Sequence, residues 1–391
     1  MALEKQLNIL DYAISSLWRR KFKNISVMLV FSSVIFLIAS FQLTTQSLTK
    51  SATSSLIHGP EIVIQKMVAG RQESIPLDYR TKLKSIFGIR RVVPRVWGYY
   101  FDVTYGANYT VLGIDPELMP MGRELDLAFQ EGGFPGPGQV GLGRGVLDSL
   151  QLHERKVFSL FKPDLTMKSF SISGVFDPLT EFLTADTMVM TVEDSRDLFG
   201  LDQDKVTDFC VYVANEGEID TIAQKISRLL PDTRVITRNQ LSKTYQMVFS
   251  WRSGFASVCL LTALCSFIIF AWDKASGLSQ EERKEIGILK VLGWQTSDIL
   301  TMRFWEGFII SSLAFFTGYS LAFGHVVFFS AGLFRPVLVG WSVLQPNLSL
   351  APDLILGDFM LIFCLSVLPY MAATIIPAWR SSIIPPDSAM H

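Results

Sequence analysis

The sequence is short of charge. Only 18% of its 391 residues are Asp, Glu, Lys or Arg, against about 25% in soluble domains. With 49% hydrophobic residues and a mean hydropathy of +0.33, that shortage points to a membrane protein. The net charge of −1 excludes a globally basic nucleic-acid binder. Cysteine is scarce as well. Cys259, Cys265 and Cys364 lie in apolar runs, Cys210 stands alone in the polar half, and no C-x-x-C occurs. That pattern supports neither a disulfide framework nor a zinc site. His58, His153, His325 and His391 are scattered, and neither G-x-S-x-G nor H-E-x-x-H is present, so no catalytic or metal constellation is legible. "GLGRG" (141–145) lacks the Lys-Ser/Thr ending of a phosphate loop and reads as a turn between a strand and the helix "GVLDSL"; G-x-x-x-x-G-K-[ST] occurs nowhere in the chain.

What the chain has is long apolar runs. Four segments approach the roughly 20 residues needed to cross a bilayer: 25–43, 253–272, 307–329 and 359–379, none containing Asp, Glu, Lys or Arg. Basic residues set the expected orientation. Lys5, Arg19, Arg20, Lys21 and Lys23 precede the first span, and Lys274, Arg283, Lys284, Lys290 and Arg303 lie between the second and third. Arg380 follows the fourth, whereas 330–358 holds only Arg335. Both termini are therefore expected in the cytoplasm, with 44–251 outside, 330–358 a short outer loop and 380–391 a cytoplasmic tail. The first run starts late and lacks a small-x-small site, which reads as an uncleaved anchor. Before it, in residues 1–24, Leu7, Leu10, Ile14 and Leu17 recur at helical spacing, the pattern of an amphipathic helix on the inner leaflet. His325 sits inside the third span, either as a functional group or as a neutral imidazole bonded across a helix interface.

Residues 44–251 have ordinary soluble composition. Strands are predicted at 61–67, 90–106, 109–114, 156–161, 168–176 and 208–214 from β-branched and aromatic runs between turn residues. Helices are predicted at 76–88 and 217–232, the latter with Ile219, Ile222, Ile226 and Leu229 or Leu230 on one face. Strand–helix–strand thus occurs near both ends. The two units are expected to pair as a split βαβ sandwich, with about 107–206 an inserted β-rich lobe. Trp97, Tyr99, Tyr100 and Phe101 suit either strand core or an amphiphile surface. The fold class is that of an α+β membrane protein: four spans and one large outer domain between the first two.

The segment 273–306 between the second and third spans is unusual for a loop. Ser279 and Glu282 form a capping box, and Glu281, Glu282 and Glu285 crowd the first turns, where the helix dipole favours acid. Ile286, Leu289 and Gly293, with Leu292 beside them, make an apolar stripe, Lys290 suits the C-terminal end, and Gly293 stops the helix. Thr296 or Ser297 is the expected cap of a second helix running into the third span. Such a short, oily helix either rests on lipid or docks a soluble partner, with Ile286, Ile288, Leu289 and Leu292 as the apolar anchor.

"ERKEIGILKVLGWQTSDIL" (282–300) resembles the cytoplasmic helix of FtsX-like, MacB-type ABC transporter permeases, matching their R-x-E-I-G-I-x-x-x-L-G run at Arg283, Glu285, Ile286, Gly287, Ile288, Leu292 and Gly293. "PAWRSSIIPPDSAM" (377–390) resembles the family's C-terminal signature. "VVPRVWGYY", "VLGIDPE", "VGLGRGVLDSLQL" and "SISGVFD" resemble its extracytoplasmic MacB-like core domain. The resemblance implies a non-catalytic subunit of the bacterial inner membrane that binds no cofactor itself. ATP and Mg would be used by a separate cytoplasmic ATPase dimer, felt at Glu282, Arg283, Glu285, Ile286, Gly287, Ile288, Leu289, Lys290, Leu292 and Gly293. It also implies a second permease copy or paralogue. The implied mechanism is mechanotransmission: ATP-driven movement reaches the outer domain, which exports or extracts a lipid, lipoprotein, peptide or small amphiphile. A periplasmic adaptor and outer-membrane channel accompany some members, and lipoprotein release is the task of others. The alternative is a non-transporting regulator that signals to a periplasmic partner.

Overall fold

The computed structural model describes residues 2–57, 59–115, 129–178, 181–249, 258, 265–266, 269, 280–336, 344 and 350–383. In chain order its helices are α1 (Ala2–Arg19), α2 (Lys21–Ile57), α3 (Tyr79–Lys84), α4 (Arg144–Ser149), α5 (Glu181–Thr184), α6 (Val192–Phe199), α7 (Ile219–Leu229), α8 (Arg238–Phe249), α9 (Gln280–Val291), α10 (Thr296–Phe329) and α11 (Leu356–Ile383). The strands are β1 (Ile62–Val68), β2 (Arg71–Glu73), β3 (Ile75–Pro76), β4 (Ile89–Asp102), β5 (Ala107–Gly113), β6 (Phe129–Gly132), β7 (Gln139–Leu142), β8 (Val157–Phe161), β9 (Met167–Phe176), β10 (Thr187–Met190), β11 (Lys205–Val206), β12 (Asp208–Val213) and β13 (Thr233–Thr237). The chain divides into two compact units, Met1–Leu48 with Val248–Gly332 and Leu350–His391, and Thr49–Met247 with Leu333–Ser349.

In the helical unit, three described helices are long and apolar enough to cross a membrane: Lys21–Ser51, Thr296–Phe329 and Leu356–Trp379. The expected span 253–272 lies outside the described residues apart from Val258, Cys265, Ser266 and Ile269. Among apolar helices, close approach comes from small residues. A Cβ at Gly318 of α10 would lie 2.6 Å from the Ser32 carbonyl of α2, and the Ser32 hydroxyl donates to the Ala314 carbonyl at 3.0 Å. A Cβ at Gly307 would lie 2.7 Å from the Thr374 hydroxyl of α11. Polar groups on α2 find partners across the interface: Ser40 Oγ and His325 Nδ1 are 2.5 Å apart, and Gln46 bonds the Asp358 carboxylate. His325 thus makes the interhelical bond that one of its two readings requires.

The sheet unit is built from the two expected strand–helix–strand units. Its sheet runs β13-β1-β12-β4-β5-β10-β7-β9-β6. β1 is antiparallel to both β12 and β13, and β12 is antiparallel to β4. Each βαβ unit is therefore split by a strand of the other, the pairing expected from the order of elements. Ile62, Ile64, Val92, Phe209 and Val211 from the strands bury against Leu83 of α3 and Ile219, Ile222 and Ile226 of α7. Leu230 completes the α7 stripe, while Leu229 is exposed. β4 is 14 residues long; its first half pairs with β12 and its second with β5. It thereby joins the sandwich to the inserted lobe, whose core includes Tyr109, Val111, Val140, Leu142, Phe170 and Met188. Leu344, from the segment read as a plain outer loop, is buried in that same core.

Inside this unit, Asp208 is fully buried. It accepts from Arg95 Nε at 2.9 Å, Arg95 Nη2 at 2.7 Å and Trp97 Nε1 at 2.7 Å. Next to it, burial pushes the Cys210 thiol up to about 12 despite the Arg95 charge, so the lone cysteine of the polar half is an inert core residue. The aromatic row is divided. Trp97 and Tyr100 are half-buried, whereas Tyr99 and Phe101 are exposed.

Candidate coupling site

α9 is a twelve-residue helix whose end follows from its sequence. Gly293 has φ +93°, which a residue with a Cβ adopts only with strain. That conformation lets the Gly293 N–H bond the Lys290 carbonyl and the Trp294 N–H bond the Leu289 carbonyl, both at 3.0 Å. This is the Schellman pattern, and its usual apolar contact is present, because Trp294 packs on the buried Leu289. α10 begins at once. The expected cap at Thr296 or Ser297 is corrected to Gln295, because the Asp298 carboxylate, three residues on, accepts from the Gln295 N–H at 3.3 Å. The Ser279 box lies outside the described residues, as do the side chains of Glu282 and Arg283.

Glu285 lies at the centre of a charged cluster. Its Oε1 accepts from Tyr12 Oη at 3.3 Å and Arg19 Nη2 at 3.1 Å, and its Oε2 from Arg20 Nη2 at 2.8 Å. Arg303 Nη2 of α10 lies 3.7 Å from Oε2, and Arg303 Nη1 donates to Glu306 at 2.6 Å. Arg303 and Glu306 are buried, so their charges depend on one another for solvation. Arg19, Arg20 and Arg303 mark orientation in the sequence; in the structure they also hold α9 in place. In the sequence Glu285 was one of three acids in the first turns of α9, and nothing there set it apart as the partner of the basic clusters.

Of the ten residues expected to meet an ATPase, the apolar ones fall into two groups. Ile286 and Leu289 are 3% exposed, with Leu289 packed beside Ile9, Ala13 and Met302. They anchor α9 within this chain and face away from its exposed side. Ile288 and Leu292 are 60% and 71% exposed, and Val291, which sequence reading passed over, is 70% exposed. Their i, i+3, i+4 spacing makes one outward row. Lys290 is half-buried and Gly293 exposed. A Cβ at Gly287 would meet nothing within 4 Å. α1 carries a second, inward face that its predicted stripe did not include. Its inward face is Ile9, Ala13 and Ser16, while Leu7 and Ile14 of the predicted stripe point away from the protein. Between the start of α1 and the Gly293 turn lies a recess of about 500 Å³.

Residues 255–386 match the family model of the FtsX-like permease C-terminal domain. This segment is similar to an FtsX-like permease domain. It contains α9, α10 and α11 entire. The chain is also homologous to an ABC transporter permease: it is 25% identical over 249 residues to an uncharacterized one of Methanocaldococcus jannaschii, covering 58% of this chain and 56% of that protein. The chain thus spans little more than half the length of that relative. Among solved structures, the extracellular domain of the noncanonic ABC-type transporter YknZ from Gram-positive bacteria is similar at 16% identity, with a TM-score of 0.34, covering 45% of this chain and 99% of that one. The Glu285 cluster ties α9, inside the matched segment, to α1, which lies outside it.

Proposed function

We propose that the chain is a non-catalytic permease subunit of an ABC transporter. In this reading it lies in the inner membrane with both termini in the cytoplasm. A separate cytoplasmic ATPase docks on α9, and its ATP-driven closure is transmitted through the apolar helices to the sheet unit, outside the membrane. The work done there is export or extraction of a lipid, lipoprotein, peptide or small amphiphile. The carrying observation is the outward row Ile288, Val291 and Leu292 on a short helix that the chain itself holds rigid. Exposed apolar residues on a charged helix favour a protein partner, and Glu285, Ile286 and Leu289 supply the rigidity from behind. α10, continuous over 34 residues and about 51 Å at 1.5 Å per residue, is a stiff path away from that row.

The reading is tested with the full chain reconstituted in lipid together with the ABC-type ATPase that co-purifies with it. Leu292→Asp and Ile288→Asp place charge on the outward row without touching the core. Both are expected to abolish permease-dependent stimulation of ATP hydrolysis while membrane insertion is unchanged. Stimulation equal to the parent chain in both variants removes the docking role of α9.

A further inference from the structure

α1 presents three flanks. Ile9, Ala13 and Ser16 face inward and are buried. Leu7 and Ile14, 57% and 49% exposed, form an outward apolar stripe flanked by the half-buried Leu10 and Leu17. At 3.6 residues per turn, Glu4, Lys5 and Asn8 lie roughly 150° around the helix from that stripe. An outward apolar stripe on such a helix is satisfied by lipid, which leaves the flank nearly opposite it in water. That wet flank forms one wall of the recess, and Leu292, Gly293 and Trp294 form the other. Leu292 is also the last member of the outward row on α9, so the apolar row runs directly into the recess. The two walls belong to one piece: Arg19 and Arg20 hold Glu285, Tyr12 meets Trp294 ring to ring at 5.3 Å, and Lys5 Nζ lies 2.8 Å from Asp298 Oδ1.

We propose that the seat of the ATPase subunit is composite, with the polar flank of α1 at Glu4, Lys5 and Asn8 as its second wall beside α9. The inference rests on the docking role of α9. The chemistry of the recess favours a protein occupant over a lipid headgroup. An anionic lipid surface attracts runs of cations, whereas this flank carries both signs and an amide beside apolar Leu292 and Trp294, the mixture of polar rim and apolar core found at protein interfaces. Because the walls are joined through Glu285, a subunit that pushes on α9 moves α1 with it.

The test uses the full chain in detergent, titrated with the ABC-type ATPase that co-purifies with it. Asn8 is exposed, so Asn8→Trp fills the recess without disturbing the core. It is expected to weaken binding about tenfold, a change of roughly 1.4 kcal/mol, while Ile14→Gln on the apolar flank leaves binding unchanged. Asn8→Cys with a short bis-maleimide is expected to cross-link to the same ATPase that Leu292→Cys captures. If Leu292→Asp weakens binding but Asn8→Trp does not, and only Leu292→Cys cross-links, the composite seat is overturned and docking on α9 stands. If neither position affects binding or cross-links, both readings fall. An equal loss from Ile14→Gln and Asn8→Trp also overturns the assignment, since the effect would then belong to α1 as a whole.

Discussion

Arg20 donates to Glu285 at 2.8 Å across 265 positions of sequence. The contact joins the turn between α1 and α2 to α9, and Glu285 is largely enclosed, so loss of the cation leaves a poorly solvated carboxylate. Arg20→Ala is expected to destabilise the helical unit by on the order of 2 kcal/mol, read as a lower midpoint of thermal unfolding in detergent. The double variant Arg20→Ala/Glu285→Gln should cost less than the sum of the single ones. Simple additivity would mean that the pair is not coupled.

Gly293 carries the turn between α9 and α10 at φ +93°, and a Cβ there would meet nothing within 4 Å. The cost of Gly293→Ala is therefore conformational, about 1 kcal/mol. Gly293→Asn should cost less, because Asn tolerates the left-handed region better. Equal stability of the alanine variant and the parent chain would contradict the need for glycine.

At the base of the sheet unit, the strand that enters and the strand that leaves lie side by side, with Ile62 opposite Thr237. Arg238 closes this junction. Its N–H bonds the Glu61 carbonyl at 2.8 Å, its Nη2 lies 2.7 Å from Glu61 Oε1, and it also donates to the Gly59 carbonyl. Arg238→Ala should speed hydrogen exchange at the paired amides of β1 and β13 without changing exchange at β7 or β9. A uniform change across the sheet, or none, would refute a local clamp.

Asp194 links α6 to the loop before β7 and to β9. Burial alone would raise its carboxyl pKa, but the Gly138 N–H, the Thr191 hydroxyl and the Lys168 ammonium outweigh burial and hold it below the ordinary range. Asp197 is held low as well, chiefly by its hydrogen bond from Lys168. Because the folded carboxyls bind protons less tightly than unfolded ones, they stabilise the fold above the ordinary carboxylate range. That contribution is lost as pH falls through the lowered values. Melting of the full chain between pH 7 and pH 3 should show this acid loss, and Asp194→Asn should reduce its steepness. An unchanged acid limb in the variant would exclude Asp194 as a contributor.

The strands and helices of the sheet unit were largely legible, because β1, β5 and α7 each bury one face and repeat at the period of their element. β10 was missed: at four residues, all buried, it shows no alternation to read. The end of α9 was legible because Gly293 is a local signal. Its inward face was not, since Ile286, Ile288, Leu289, Val291 and Leu292 leave little of the helix without an apolar residue. On α1 the outward stripe was legible, while the inward face at Ile9, Ala13 and Ser16 was not, because Ala13 and Ser16 carry no apolar signal.

Local chemistry in the sequence thus determined the long apolar helices, the turn at Gly293 and the split βαβ order. Only the tertiary structure decided that Leu289 faces inward while Leu292 faces out, and that Arg19 and Arg20 close on Glu285. Periodicity states that a helix has an apolar face, but which of two such faces is buried depends on the surface that meets it. Here that surface comes from α1 and α10, and α1 stands more than 250 positions away in the chain.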